Sequence, residues 1–193
     1  APAKPNCGDS ALDQYTEIAS HFQALLEHTA LSVDTIARPL EAAADAATRT
    51  LVDGGTVFFA GAGPDRALAR YAADRLMLGA GPERPALPAV ALSEPGDPAE
   101  PWREARALAR PGDLLLALDS GDGSTLAGAL GAAAGGNPAL VLLSYEGCPG
   151  LPTADDDPLI IALPDAPRDQ LLTLEAMALG CLCHLIEVNL FGA

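Results

Sequence analysis

The chain has 193 residues, and its 11 Lys and Arg stand against 26 Asp and Glu, giving a formal charge of −15. So acidic a surface excludes direct binding to nucleic acid or anionic lipid, because neither polyanion would release counterions to it. A hydrophobic share of 49% excludes a disordered acidic tail and fits one globular domain with helical additions. Residues 1–9, with Pro2, Pro5 and Gly8, read as a flexible leader, and the domain as 10–193. Leu12, Tyr15, Ile18, Phe22, Leu25 and Leu26 recur at spacings of three and four, which predicts a helix up to Glu27. Ser32 or Asp34 can start a second helix, with Ile36, Leu40, Ala43, Ala47 and Leu51 on one side and Gly54-Gly55 as its stop. This N-terminal helical pair spans 10–54, and an α/β core spans 55–193.

The core opens with a short apolar run at 56–60 (TVFFA), a glycine loop at Gly61-Ala62-Gly63 and a helical stretch over 65–78. The same unit recurs as a strand at 113–118, a loop at 119–124 (DSGDGS) and a helix at 125–134. A strand at 89–92 and a helix at 102–109 lie between them. Strands at 139–144 and 159–162 follow, and a helix at 170–189 closes the chain. Strands alternating with helices predict a parallel sheet covered on both faces, a three-layer α/β/α arrangement. The Pro-rich acidic segments 93–101 and 148–158 read as surface loops. No apolar run reaches the roughly 18 residues of a membrane span, and the first ten residues lack an apolar targeting core, so the expected location is cytoplasmic, with no membrane contact. Cys7, Cys148, Cys181 and Cys183 are too irregularly spaced for a secreted disulfide framework.

In a doubly wound sheet, ligands sit beyond the carboxyl ends of the strands, where free amides and helix N-termini attract anions. Both glycine loops fall there. Gly61-Ala62-Gly63-Pro64-Asp65-Arg66 has Arg66 where a dinucleotide fingerprint needs its third glycine, so a Rossmann dehydrogenase is not expected.

The segments FFAGAGPDRALARYAADRL, ERPALPAVAL, ARPGDLLLALDSGDGS and GCLCHLIEVNLFG resemble, in order and spacing, the sugar isomerase (SIS) domain proteins of the phosphoheptose isomerase group. The resemblance runs over about 10–192. It implies a five-stranded parallel sheet, two N-terminal helices used for assembly, and a homotetramer or homodimer. The tail CLCHLIEVNLF resembles the initiator-associating branch of that group, which implies an oligomeric adaptor that binds DnaA and regulates replication initiation. On that reading Leu190 and Phe191 either meet the partner or pack a neighbouring subunit.

Position by position, the resemblance also implies that the chemistry is lost. Where relatives read GNGGSA, Ala62 stands at the asparagine and Asp65 at the serine; where they read STSGNS, this chain has Asp119 to Ser124, keeping hydroxyls only at Ser120 and Ser124. Their His and Glu fall on Tyr71 and Arg75, and their Gln and His on Leu172 and Gly180; shifting to Gln170 brings Ala178 to the histidine. Their acidic residue after the second strand falls on Pro95, beside Glu94. No general base and no metal set of the usual kind remains. A carboxylate 4–5 Å from a phosphate charge costs about 3–4 kcal/mol at an effective dielectric near 20, more than the roughly 0.3–1 kcal/mol a helix dipole returns. Asp65 and Asp122 also suit helix N-caps, with Arg66 placed to neutralise Asp65. Cys181, Cys183 and His184 cluster in sequence, but residues two apart on a helix point to opposite sides. His21 and His28 read as surface or interface histidines.

The sequence therefore predicts a non-catalytic, oligomeric scaffold with no cofactor and no metal, whose degenerate sugar-phosphate loops comprise Gly61, Gly63, Asp65, Asp119, Ser120 and Ser124. One alternative is a phosphosugar isomerase acting on sedoheptulose 7-phosphate. Another is a sensor for an uncharged or amino sugar held by Ser120, Ser124, Asp119 and Asp122.

Overall fold

A computed structural model describes residues 7–79, 81, 83–92, 100–134, 138–152 and 158–192, with side chains of the first helix from residue 14. The acidic segment at 93–99 and residues 153–157 of the second loop lie outside them, as do Glu94 and Pro95. In chain order the elements are α1 (Cys7–Val52), β1 (Val57–Gly61), α2 (Asp65–Leu78), β2 (Ala89–Ala91), α3 (Glu100–Leu108), β3 (Leu114–Leu118), α4 (Ser124–Ala132), β4 (Ala139–Tyr145), β5 (Leu159–Leu163) and α5 (Arg168–Phe191). The five strands form one parallel sheet in the order β2-β1-β3-β4-β5. That order reverses between β1 and β3, and the crevice of a doubly wound sheet opens where it does.

Alternate strand residues feed two cores. Val57, Phe59, Leu114, Leu116, Val141 and Ile161 face α1, α2 and α5. Phe58, Ala60, Leu115, Ala117 and Leu142 face α3 and α4, where Trp102, Leu126 and Ala129 cover them. Strands buried on both faces explain the continuous apolar runs in the sequence, such as LLLAL, which carry no period of two.

Two expectations are corrected. The predicted N-terminal pair is a single helix of 46 residues, beginning three residues before Ser10. Ser32 does not cap a second helix: its hydroxyl bonds the His28 carbonyl at 2.8 Å, and Thr29 and Thr35 bond back to Leu25 and Leu31 in the same way. Residues that suit an N-cap thus fold into the ladder, and no glycine or proline separates 27 from 34 to stop it. The second half of α1 does most of the packing, through Ile36, Leu40, Ala43, Ala44 and Ala47, while Tyr15, Ile18, Phe22 and Leu26 stay well exposed. The second correction concerns α5, which by length and composition is apolar enough to cross a membrane. Here it lies against α1, α2 and the sheet, with Leu171, Leu174, Ala178, Leu179 and Leu182 buried.

Candidate functional site

The register pairs Gly61 with Leu118, so the two loops that follow β1 and β3 emerge side by side at the carboxyl edge of the sheet. Between them lies a crevice of about 350 Å³ lined by Gly63, Asp65, Asp119, Asp122, Ser124 and Arg168 among others. A larger groove, about 560 Å³, sits at the opposite, amino edge, but Ala, Leu and Pro side chains form most of its wall and no set of polar groups converges there. The carboxyl-edge crevice is therefore the candidate site, because convergent polar groups rather than size mark one.

Asp65 opens α2, yet it caps nothing: Pro64 holds the N-cap position, and the Asp65 carboxylate reaches across to the other loop. There it accepts the Ser120 amide at 2.9 Å and the Ser120 hydroxyl at 2.5 Å. Gly61 permits this approach, since a Cβ at 61 would lie 2.8 Å from the Asp65 backbone. Burial pushes the Asp65 carboxyl up from its ordinary value, the two Ser120 bonds pull it back, and Asp119 and Arg168 act on it with opposite signs. A guanidinium that acts on Asp65 is thus Arg168, at the start of α5.

Asp119 fills the second loop in the same manner. One of its oxygens accepts from the Gly121 amide at 2.8 Å, the other from Thr125 at 2.9 Å and Leu126 at 3.4 Å, so the first amides of α4 are already bound to a carboxylate. Asp122 does not cap α4 from the N-cap position, which Gly123 holds with φ near +82°; from an exposed position it accepts from the Ser124 hydroxyl and from the Ser124 amide at 3.1 Å, and these bonds, the hydroxyl's first, lower its pKa. Only glycine fits at 123, both for that φ and because a Cβ would collide with the Pro149 carbonyl. Tyr145 closes the rear of the loop by donating to the Gly121 carbonyl at 2.8 Å.

Three of the positions aligned by resemblance, Tyr71, Arg75 and Gly180, do meet. Arg75 donates to the Tyr71 hydroxyl at 3.3 Å, and that hydroxyl lies 3.6 Å from where a Cβ at Gly180 would be. Cys181 is exposed and Cys183 buried, on opposite sides of α5 as the helix spacing requires. Gln170 is buried and contacts His28 of α1 at 2.6 Å, while His21 lies 3.9 Å from Asp169. The tail pair divides: Leu190 packs on its own core, and Phe191, half exposed, lies under the Arg84 guanidinium at 5.9 Å. Arg84 also bonds Glu187 at 2.7 Å and the last carbonyls of α2, which ties the ERPALP segment to the tail within one chain.

Two site residues escaped the sequence reading. Arg168 sits two residues before the expected helix start. Glu175 is fully buried, outside the crevice lining, both of its oxygens lack a partner, and burial, then repulsion from Asp65 and Asp119, pushes its carboxyl up to about 9. The signal for Glu175 was available: it stands alone among Leu171, Leu174, Ala178, Leu179 and Leu182 on the apolar face of α5.

The fold, a five-stranded parallel sheet between helices, is that of solved phosphoheptose isomerases with the SIS fold. A solved phosphoheptose isomerase from Francisella tularensis superposes with a TM-score of 0.79 at 22% identity, covering 90% of this chain and 97% of that one. The enzyme of the same name from Neisseria gonorrhoeae gives a TM-score of 0.76 at 20% identity, covering 90% and 99%. Among curated proteins, the phosphoheptose isomerase of Thiobacillus denitrificans is 28% identical over 191 residues, 92% of this chain and 97% of the relative. No protein-family model matches the chain.

Proposed function

We propose that this protein binds a sugar derivative at the carboxyl-edge crevice without the phosphate grip and the acid–base pair on which a ketose-phosphate isomerase depends. The observation that carries this reading is the Asp65 carboxylate seated on the Ser120 amide and hydroxyl. With Asp119 on the α4 amides, it leaves a phosphoryl oxygen few donors and two repelling charges. Incubation with sedoheptulose 7-phosphate tests it directly: the expected result is no isomerised product, and turnover would overturn the reading.

A second reading, a phosphosugar isomerase, has its support in the relatives that carry that name over nearly their whole length and in Arg168, a cation at the crevice able to hold a phosphoryl group. It predicts stabilisation by sugar phosphate, about 2.7 kcal/mol at 100 times the dissociation constant. The DnaA adaptor has weaker support than either, because the relatives' names point to sugar chemistry and Leu190 is spent on its own core. Capture of DnaA by the intact protein, reduced in Phe191→Ala, is what that reading requires. Homo-oligomerisation is proposed from the exposed apolar stripe of α1 at Tyr15, Ile18, Phe22 and Leu26, which this chain alone leaves uncovered.

A further inference from the structure

We infer that His28 and Gln170 are positioning residues for the carboxyl-edge crevice: their contact fixes the first turn of α5 and so holds the Arg168 guanidinium in its seat on the second loop. This rests on the crevice being the binding site, as proposed above, and specifies what keeps its cation in place. Arg168 is the first residue of α5, and no side chain caps that end of the helix. Its guanidinium reaches from there to Gly121. The two terminal nitrogens lie 3.1 and 3.2 Å from where a Cβ at 121 would be, and an Asp119 carboxylate oxygen lies 3.3 Å from the same point. Gly121 is not among the glycines with positive φ, so its backbone does not require a glycine. The missing side chain is instead the room in which the guanidinium sits.

A seat of that kind is only as firm as the turn that carries the arginine. Gln170, two residues on, is buried, and its Oε1 accepts from His28 Nδ1 of α1 at 2.6 Å. An amide oxygen can only accept, so Nδ1 carries the hydrogen of this bond. Asp169 faces His21 at 3.9 Å, but both side chains are exposed, and pairs of that kind hold little. The His28 bond is the shorter and better shielded link, and it ties the turn to a helix 142 residues away in sequence. The seat has an electrostatic consequence. Arg168 acts on Asp65 and Asp122, which line the crevice with it, and on Tyr145 and Glu175 outside the lining, in each case favouring the ionised form. Moving the guanidinium off Gly121 weakens all four effects together.

The test follows the Asp65 and Glu175 carboxyls by carbon NMR through a pH titration of the intact protein. Arg168→Gln removes the cation and should raise both midpoints, which sets the full shift. His28→Leu, or Gln170→Leu where that variant does not fold, breaks the link and should raise both by about half that shift or more, with Arg168 still present. His28→Gln keeps a donor for Gln170 without a titratable ring and should return both midpoints to their natural values. That rescue separates positioning from the loss of an ionisable group. Gly121→Ala puts a Cβ into the seat and should act as His28→Leu does. Thr29→Val loses the Thr29 contact with Met177, disturbing the packing of α1 on α5 next to the link, and should move neither midpoint. The inference is overturned by midpoints that stay put in Arg168→Gln, in Gly121→Ala or on breaking the link, by no rescue in His28→Gln, or by an equal shift in Thr29→Val. The readout needs no ligand, so failure of every sugar to bind would overturn the proposed function and leave these shifts standing.

Discussion

Asp65 offers the sharpest perturbation. Its carboxylate occupies the Ser120 amide and hydroxyl, so Asp65→Ser removes one negative charge and frees both donors, while Asp65→Asn removes the charge and keeps the shape. A unit charge 4–5 Å from a phosphoryl group at an effective dielectric near 20 is worth about 3–4 kcal/mol. Relieving it should tighten phosphate binding by roughly 10²- to 10³-fold. The vacated Ser120 amide costs about 1–3 kcal/mol when left without an acceptor, so Asp65→Ser should be less stable alone and recover that loss when phosphate binds. Calorimetric titration with inorganic phosphate and sedoheptulose 7-phosphate, with melting curves alongside, reads both effects. If both variants bind phosphate no better than the natural chain, the carboxylate is not what excludes the anion, and the electrostatic account of the crevice fails.

Glu175 sets a pH dependence. Its folded pKa, about 9, lies above the unfolded 4.5, so the folded state holds the extra proton between those values. Its contribution is full below about pH 4.5 and is lost as pH rises toward 9, with a slope of up to about 1.4 kcal/mol per pH unit. Glu175→Gln should flatten that fall, as denaturant titrations between pH 6 and 9 would register. Gly128 of α4 lets Trp102 of α3 lie flat against it, and a Cβ there would collide with the indole ring. Gly128→Ala should cost about 1–3 kcal/mol by overpacking, and the emission of the single tryptophan should shift to the red as the ring moves toward solvent. Light scattering should give a mass that is a multiple of 19.6 kDa, and Phe22→Asp with Leu26→Asp should lower it without unfolding the α/β core, because both side chains are exposed in the single chain.

Much of this protein was legible in the sequence because its signals are local. Short apolar runs marked all five strands to within a residue or two, since a strand buried on both faces needs nothing but apolar residues. The two glycine loops marked the carboxyl edge, and their acidic residues prompted the proposal that the anion grip is lost. What the tertiary structure decided is where each charge goes. Sequence gives Asp65 a local role as a helix cap; only the register of β1 against β3 brings Ser120 within reach and turns it across the crevice. Sequence likewise breaks α1 at Ser32, since hydroxyls serve caps and helix ladders alike, and the surrounding chain settles which. Arg168 and Glu175 join the site from the far end of the chain, through the docking of α5, and no spacing along the sequence encodes that distance: electrostatics depends on separation in space, which folding alone fixes.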